Sequence, residues 1–328
     1  MIRSSCNATR YAAFLMSLVL GACGPDQGST RHASTPGRPF HLNAMPKQTP
    51  PCPPSVEAQE KSTDDGPSDP SFCEASVQSE QRDEMLAGSV ASEGCQFRSS
   101  ATGFRNVSIK VGSRQRSFIR VVAADYDHTV PHKLVIGFHG HGLDGNSPRR
   151  DHKWPLIEQM AGDAAIFIYP HSAGASWNGG AGSPDLAFFD ELVKTTGEEF
   201  CVDKSKVFVH GFSNGSIFVN SLVRQRGAAI RGLITVAGSG GGVRVPAMVI
   251  HGQADPTIAY SHGMQSLRMY AQANSCQTPV DFNKLAMDTC TALPGCAQAT
   301  PLIFCPWRGN HHWPEFTLSQ VWQFIAAN

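Results

Sequence analysis

The sequence predicts an α/β fold in which a mainly parallel β-sheet carries helices on both faces. From residue 95 onward, short apolar runs alternate with longer segments whose apolar residues follow helical spacing. The runs are rich in Val, Ile, Leu and Phe and lack polar alternation, which indicates strands that are buried on both faces. Residues 93–328 are therefore expected to form one domain with a large core.

The elements follow one another in a simple order, and no internal repeat is visible. A hairpin opens the domain, with strands at 104–111 and 117–122 and a turn at Gly112 and Ser113. Further strands are predicted at 133–138, 164–169, 206–210, 232–237, 247–251 and 302–305. Helices are predicted at 153–161, 185–198, 214–225, 259–273 and 316–326.

The N-terminal part has a different composition. Residues 1–22 are predicted to be a signal peptide, because Arg3 and Arg10 accompany an apolar run that is too short to span a bilayer. Its end, Leu-Gly-Ala-Cys, resembles a bacterial lipobox. In that pattern the signal peptide is cleaved before Cys23, which becomes the lipid-carrying N-terminus. The alternative is an ordinary secretory signal with an incidental cysteine. Either interpretation predicts an exported protein, as a membrane-anchored periplasmic or cell-surface lipoprotein or in secreted form.

Residues 23–92 are predicted to be a disordered spacer, with a possible short helix at 82–92. The segment holds ten of the chain's 22 prolines among Ser, Thr, Gln, Asp and Gly. Such a composition buries too little apolar surface to offset the conformational entropy of the chain. The spacer would hold the domain away from a membrane that it touches only through the lipid anchor.

Charge and cysteine content narrow the functional class. The 27 basic and 27 acidic residues give zero formal net charge, so nothing indicates the basic face of a nucleic-acid-binding protein.

Export predicts an oxidising compartment for the cysteines, although free and paired thiols could coexist. The sequence does not fix the pairing, and zinc is not favoured because no Cys-x2-Cys pair is present. The run from Cys276 to Cys305 resembles a disulfide-stapled loop region. Besides Cys6 and Cys23, the cysteines are Cys52, Cys73, Cys95, Cys201, Cys276, Cys290, Cys296 and Cys305.

The segment 211–215, Gly-Phe-Ser-Asn-Gly, lies between a predicted strand and a predicted helix. This order fits a strained strand-to-helix turn that exposes the hydroxyl of Ser213 as a nucleophile. Gly211 and Gly215 would let strand and helix approach closely. The pattern alone is a weak signal in a chain with 31 glycines, so the assignment depends on its partners.

A serine nucleophile needs a base and a third group that orients the base. The best acid is Asp255, in the loop after the predicted strand at 247–251, since loops that follow parallel strands share one edge of the sheet. Asp255 could instead serve as a helix cap or turn residue, because Asp-Pro favours turns. Asp281 and Asp288 are weaker candidates. Two adjacent histidines qualify as the base, His311 and His312, which lie between the last strand and the last helix.

The negative charge that develops on the substrate oxygen requires backbone N–H donors. One should be the N–H of Asn214, next to the nucleophile, and the other should come from the loop 138–142, Phe-His-Gly-His-Gly. We assign the second donor to His141, with Gly140 or Gly142 as alternatives. His139 and His141 could also be a metal-binding pair, but no third ligand is suitably spaced and no metal is predicted.

Together these segments resemble the secreted α/β-hydrolase esterase family that contains feruloyl esterases and polyhydroxybutyrate depolymerases. The resemblance covers roughly residues 95–328. It rests on segments 138–142, 169–170, 185–189, 201–203, 251–256, 290–305 and 311–314. The family's last motif is similar to Gly-Gly-His-x-Trp-Pro, which assigns the base to His311 and leaves His312 and Trp313 to line the substrate pocket. Asn310 departs from that motif. The resemblance implies an α/β-hydrolase core without a large lid, disulfides near the histidine loop, and no cofactor.

The predicted function is that of an exported serine carboxylesterase. Ser213 would form an acyl-enzyme, His311 would relay the proton and Asp255 would orient the imidazole. Esters of plant polysaccharides, feruloylated or acetylated, are the first candidate substrates, because the start at Cys95 and the cysteine-rich tail are similar to those of feruloyl esterases. Polyhydroxybutyrate is the second candidate. A catalytically silent glycan-binding lipoprotein and a peptidase on the same fold are the rival functions.

Overall fold

The computed structural model describes residues 89–277, 281 and 285–328. The predicted signal peptide, the lipidation site Cys23 and the spacer up to residue 88 lie outside the described residues. So do Cys52 and Cys73.

Within the described residues, nine strands form one sheet in the order β1-β2-β4-β3-β5-β6-β7-β9-β8. The six strands from β4 to β9 in that order run parallel to one another, whereas the hairpin β1–β2 and the short β8 pair in antiparallel fashion at the two edges. The sheet is therefore mainly parallel, as predicted. The strands are β1 (Gly103–Val111), β2 (Arg114–Val122), β3 (His132–Phe138), β4 (Ala165–Pro170), β5 (Val202–Phe212), β6 (Gly232–Val236), β7 (Ala247–Gly252), β8 (Thr291–Ala292) and β9 (Leu302–Trp307).

Helices cover both faces of the sheet, which confirms the predicted α/β-hydrolase fold class. Buried side chains of α3, α4 and α5 pack in the core of one face, and those of α2 and α6 pack in the core of the other. No helix in the described part of the chain is long and apolar enough to cross a bilayer. The helices are α1 (Ser147–Asp151), α2 (Trp154–Ala161), α3 (Pro184–Glu199), α4 (Asn214–Arg226), α5 (Tyr260–Ala273) and α6 (Leu318–Ala327).

Each strand and helix predicted after residue 100 is present, but some ends differ. The largest difference is in β5, which begins at Val202 and not at residue 206. Three of the four added residues, Asp203, Lys204 and Ser205, are polar and gave no apolar signal. Asp203 nevertheless fits inside the fold, because its Oδ1 accepts hydrogen bonds from Ser205 N–H at 2.9 Å and from Val90 N–H at 3.0 Å.

Residues 89–92 belong to the folded domain, which corrects the predicted spacer boundary at residue 92. Ala91 forms an antiparallel bridge with Asp203, and Ser92 Oγ donates a hydrogen bond to Phe200 O at 2.8 Å. These residues are extended and not helical, so the short helix expected there is wrong for this part. Backbone pairing with the start of β5 determines their conformation, and their polar composition gave no sign of it.

Three disulfides are present among the described residues. Two of them lie in the cysteine-rich C-terminal region, where the sequence predicted a stapled loop, and the third joins the segment before β1 to the residue before β5. Disulfides of this number are typical of proteins that fold in an oxidising compartment. They are Cys95–Cys201, Cys276–Cys296 and Cys290–Cys305.

Candidate active site

Ser213 occupies the turn between β5 and α4 with a positive φ of 55° and ψ of −119°. A residue with a Cβ pays a steric cost in this region of φ/ψ space, so the turn must be held by its surroundings. Ser213 N–H donates a hydrogen bond to Val236 O on the neighbouring strand β6 at 2.9 Å. The strained strand-to-helix turn expected from the sequence is therefore present.

The two glycines that flank Ser213 let the turn pack against its neighbours. A Cβ built on Gly211 would lie 2.2 Å from the carbonyl oxygen of Gly215. A Cβ on Gly215 would lie 2.1 Å from the carbonyl oxygen of Phe138, at the end of β3. Neither position has room for a side chain, so the turn lies directly beside the loop that follows β3.

Asp255 and His311 contact each other at the same edge of the sheet. Asp255 follows β7 and His311 follows β9, and these strands are parallel neighbours. His311 Nδ1 lies 2.7 Å from Asp255 Oδ2. The other carboxylate oxygen accepts the N–H groups of Thr257 and Ile258 at 2.8 and 2.9 Å, so Asp255 also has the turn role that was the alternative.

The surroundings of Asp255 keep it ionised. Burial opposes the charge, but the hydrogen bonds from His311, Ile258 and Thr257 outweigh it, and the pKa of Asp255 lies below its ordinary value. A carboxylate at Nδ1 fixes the imidazole tautomer with its proton on that nitrogen. Nε2 of His311 is then the nitrogen that can accept a proton.

The His311 ring lies beside the turn that carries Ser213. The ring centroids of His311 and Phe212, the residue before Ser213, are 5.0 Å apart. The strand order β5-β6-β7-β9 accounts for this, because each parallel strand ends at the same edge. The structure thus brings the predicted nucleophile, base and acid to one region.

The loop after β3 offers backbone donors beside Ser213. Gly142 N–H is not one of them, because it donates to Ala175 O at 2.8 Å. The N–H groups of Gly140 and His141 have no hydrogen-bond acceptor among residues 89–277, 281 and 285–328. Asn214 N–H opens α4, where backbone N–H groups have no partner within the helix. The N–H groups of Gly140, His141 and Asn214 therefore remain candidate oxyanion-hole donors.

The segment after β4 braces this loop, and sequence reasoning missed it. His141 Nδ1 lies 2.6 Å from Ser176 Oγ. Trp177 N–H donates to Asn214 Oδ1 at 2.7 Å, and its indole N–H donates to His139 O at 3.0 Å. A lone tryptophan in a loop of Gly, Ala, Ser and Asn was the available signal. Trp177 therefore links the loop 138–142 to Asn214 at the start of α4.

His139 has a structural role in this loop. Its Nδ1 donates to Gly140 O at 2.8 Å, and its Nε2 accepts Ser172 N–H at 3.2 Å. Burial lowers the pKa of His139, which keeps the ring neutral. In the described part of the chain, no group of three His, Cys, Asp or Glu side chains is arranged to hold a metal ion.

The neighbours of His311 differ from expectation. Trp313 is 2% exposed, packs edge-on against Trp154 and donates its indole N–H to Thr317 Oγ1 at 3.2 Å. The predicted role of Trp313 in substrate binding is therefore wrong, because the turn at 314–317 folds the indole into the core. His312 is exposed and remains a candidate for contact with substrate.

Two further groups near the acid clarify its role. Asp288, a weaker candidate acid, pairs with Arg308 at the surface. His251, which the sequence did not single out, is buried with Nε2 3.6 Å from Asp255 Oδ2 and donates to Ile258 O at 2.8 Å. Burial lowers the pKa of His251, so its ring stays neutral beside Asp255. The negative charge of Asp255 is therefore not paired with a charged His251, and the carboxylate remains available to orient His311.

Comparison with known proteins adds independent information. No protein-family model matches the chain. Feruloyl esterase C of Emericella nidulans is 28% identical over 234 residues, which cover 65% of this chain and 84% of that protein. Feruloyl esterase D of Neurospora crassa is 24% identical over 267 residues, covering 74% of this chain and 92% of the relative.

Solved structures show the same fold at lower identity. An acetyl xylan esterase from Aspergillus awamori superposes with a TM-score of 0.56 at 14% identity, covering 69% of this chain and all of that one. A thermostable esterase superposes with a TM-score of 0.52 at 13% identity, covering 68% of this chain and 62% of the other.

Fold and relatives together define the class: the chain is a carboxylic ester hydrolase with the α/β-hydrolase fold. Its relatives at 24–28% identity support an α/β esterase family that contains the feruloyl esterases. As an ester hydrolase, it acts on ester substrates.

Proposed function

We propose that this protein is an exported serine esterase that cleaves feruloyl-type esters of plant polysaccharides through Ser213, His311 and Asp255. The observation that carries the proposal is the 2.7 Å contact between His311 and Asp255 at the sheet edge where Ser213 occupies a strained turn. The feruloyl esterases among its relatives support the acyl group, and the three disulfides support export.

The reaction follows from the positions of these groups. Ser213 Oγ attacks the ester carbonyl carbon while its proton passes to His311 Nε2. The N–H groups of Asn214 and His141 stabilise the negative oxygen of the tetrahedral intermediate. The alcohol leaves with the proton from His311, and Ser213 is acylated. Water then attacks the acyl-enzyme, His311 takes its proton, and the carboxylic acid departs with Ser213 restored.

Delivery to the cell exterior is the second part of the proposal. Residues 1–22 act as the signal peptide, Cys23 carries the lipid anchor, and the proline-rich segment that follows spaces the folded domain, which begins at residue 89, from the membrane. Intact mass of the processed protein tests this. A lipid-modified cysteine at the new N-terminus is expected, and an unmodified N-terminus at any other residue would reject the anchor.

Hydrolysis of methyl ferulate tests the catalytic assignment. Ser213→Ala should abolish labelling by a fluorophosphonate probe and lower kcat by about 10³-fold or more. Asp255→Asn should lower kcat by a similar factor, because the imidazole loses the group that fixes its tautomer. Ser216→Ala, a buried serine one turn further along α4, is the matched control and should retain activity. Labelling that persists in Ser213→Ala would reject the nucleophile.

The acyl preference is tested by comparing methyl ferulate with a hydroxybutyrate trimer. A larger kcat/KM for methyl ferulate is the expected result. A larger value for the trimer would reject the feruloyl assignment while leaving the serine esterase chemistry in place.

A further inference from the structure

A polar cavity of about 390 Å³ lies near the candidate active site. It opens where β2 begins and β4 ends, which is the edge of the sheet that carries Ser213. The order β2-β4-β3-β5 and the usual strand spacing put the cavity about 10 to 14 Å from the nucleophile turn. A short oligosaccharide attached to an ester at Ser213 would reach it.

The cavity carries positive charge. Arg114 and Arg116 line it, together with Gln115, Ser117, His171 and Ser172, and none of its lining residues is acidic. Arg116 is buried and neutralised, since its Nη1 lies 2.9 Å from Asp185 Oδ1 and its Nη2 donates to His171 O at 3.2 Å. Arg114 is exposed and has no ion-pair partner in the part of the chain that the structure describes. Arg114 is therefore the cation that a ligand would meet.

One wall of the cavity is continuous with the oxyanion-hole loop. Ser172, in that wall, donates its N–H to His139 Nε2 at 3.2 Å, and three residues later Ala175 O accepts Gly142 N–H at 2.8 Å. Hydrogen bonds therefore join the wall of the cavity to the loop 138–142 beside Ser213. A ligand seated against this wall would lie on the same surface as the ester bond under attack.

We propose that this cavity is a subsite for a carboxylated sugar unit in the carbohydrate part of the substrate, with Arg114 binding the carboxylate. The inference rests on the proposed function, because it places the ester of that substrate at Ser213. A guanidinium matches a carboxylate with two parallel hydrogen bonds. Gln115, Ser117 and His171 supply the donors and acceptors that sugar hydroxyls need.

Binding is measured without catalysis, on the full chain with Ser213→Ala, by isothermal titration calorimetry. The probes are trigalacturonate, which carries carboxylates, and xylotriose, which is a neutral trimer. Trigalacturonate is expected to bind about tenfold more tightly, and the preference should fall as salt concentration rises. Adding Arg114→Ala should weaken trigalacturonate binding about tenfold and leave xylotriose unaffected.

Arg105→Ala is the matched control, because Arg105 is an exposed arginine on the same hairpin but faces Arg120, six rungs from the Arg114 end. It should bind both probes as the parent protein does. Equal affinity for the two trimers, or trigalacturonate binding unchanged by Arg114→Ala, would overturn the subsite. Hydrolysis of methyl ferulate by the wild-type protein has no sugar component. If the wild-type protein did not hydrolyse methyl ferulate, the esterase proposal would be rejected, whereas the measured binding of the two trimers would be unaffected.

Discussion

The candidate site has two halves that are built in different ways. The nucleophile half joins the segments 138–142 and 211–215, where close backbone contacts that only glycine permits fix the geometry. The histidine half joins Asp255 to His311, 56 residues apart, through side-chain hydrogen bonds between two loops. One half is set by steric exclusion, whereas the other depends on how firmly separate loops are held.

This difference explains where the disulfides matter. Cys290–Cys305 ties β9 to the segment before it, and β9 leads directly to the loop of His311. Cys95–Cys201 lies before β5 begins, at the edge of the sheet opposite to Ser213. The first bond supports the histidine half, and the second supports the fold as a whole.

Removing each disulfide by paired Cys→Ser substitutions is expected to give the largest effects on stability. Loss of Cys95–Cys201, which spans 106 residues, should lower the free energy of unfolding by about 4.7 kcal/mol, and loss of Cys290–Cys305, which spans 15, by about 3 kcal/mol. Activity should follow the reverse order. At a temperature where both variants are folded, kcat should fall about tenfold or more only without Cys290–Cys305, because a displaced histidine loses catalytic geometry.

Chemical denaturation and methyl ferulate kinetics measure the two quantities on the same preparations. If both variants lose kcat equally at full folding, the histidine half does not depend on its own disulfide, and the proposed contrast is wrong.

Gly215→Ala probes the nucleophile half and should cost about 2 to 3 kcal/mol of unfolding free energy. In an exposed helix the same change would stabilise by about 1 kcal/mol. Here the new Cβ would overlap Phe138 O, so the backbone of the turn must move. Gly174→Ala is the control, because no atom lies within 4 Å of its virtual Cβ and the residue is exposed. A lower melting temperature for Gly174→Ala than for Gly215→Ala would contradict the steric account.

The same contrast explains what the sequence could predict. The turn at Ser213 could be predicted because its signal lies in five consecutive residues next to an apolar strand. Asp255 and His311 could be placed only through the order of parallel strands and the family resemblance. Trp313 was misassigned because an aromatic residue beside a histidine resembles a pocket wall, whereas hydrogen bonding to Thr317 turns it inward. Trp177 was missed because contacts between loops leave no periodic pattern.

A buried histidine beneath both halves gives the smallest expected effect. His210 on β5 stacks on Trp154 with ring centroids 3.6 Å apart, and Trp154 in turn contacts Trp313 from the histidine half. Burial in this apolar cluster, with a lesser contribution from His152, holds the pKa of His210 well below its ordinary value. The native ring therefore stays neutral at pH values where the unfolded ring becomes charged.

As pH falls below about 6.5, the unfolded chain takes up a proton at residue 210 that the native protein excludes. Each pH unit below that point should lower the free energy of unfolding by about 1.4 kcal/mol through this residue, and above it the contribution vanishes. Between pH 6.5 and 5, His210→Phe should weaken the pH dependence of the free energy of unfolding by the equivalent of about one proton taken up on unfolding. Urea unfolding at several pH values measures this. His262→Phe, on the exposed face of α5, is the control for replacing a histidine by phenylalanine at the surface. An identical pH slope in His210→Phe and wild type would mean that the ring is protonated in the native state, which its packing between Trp154 and Gly137 is expected to prevent.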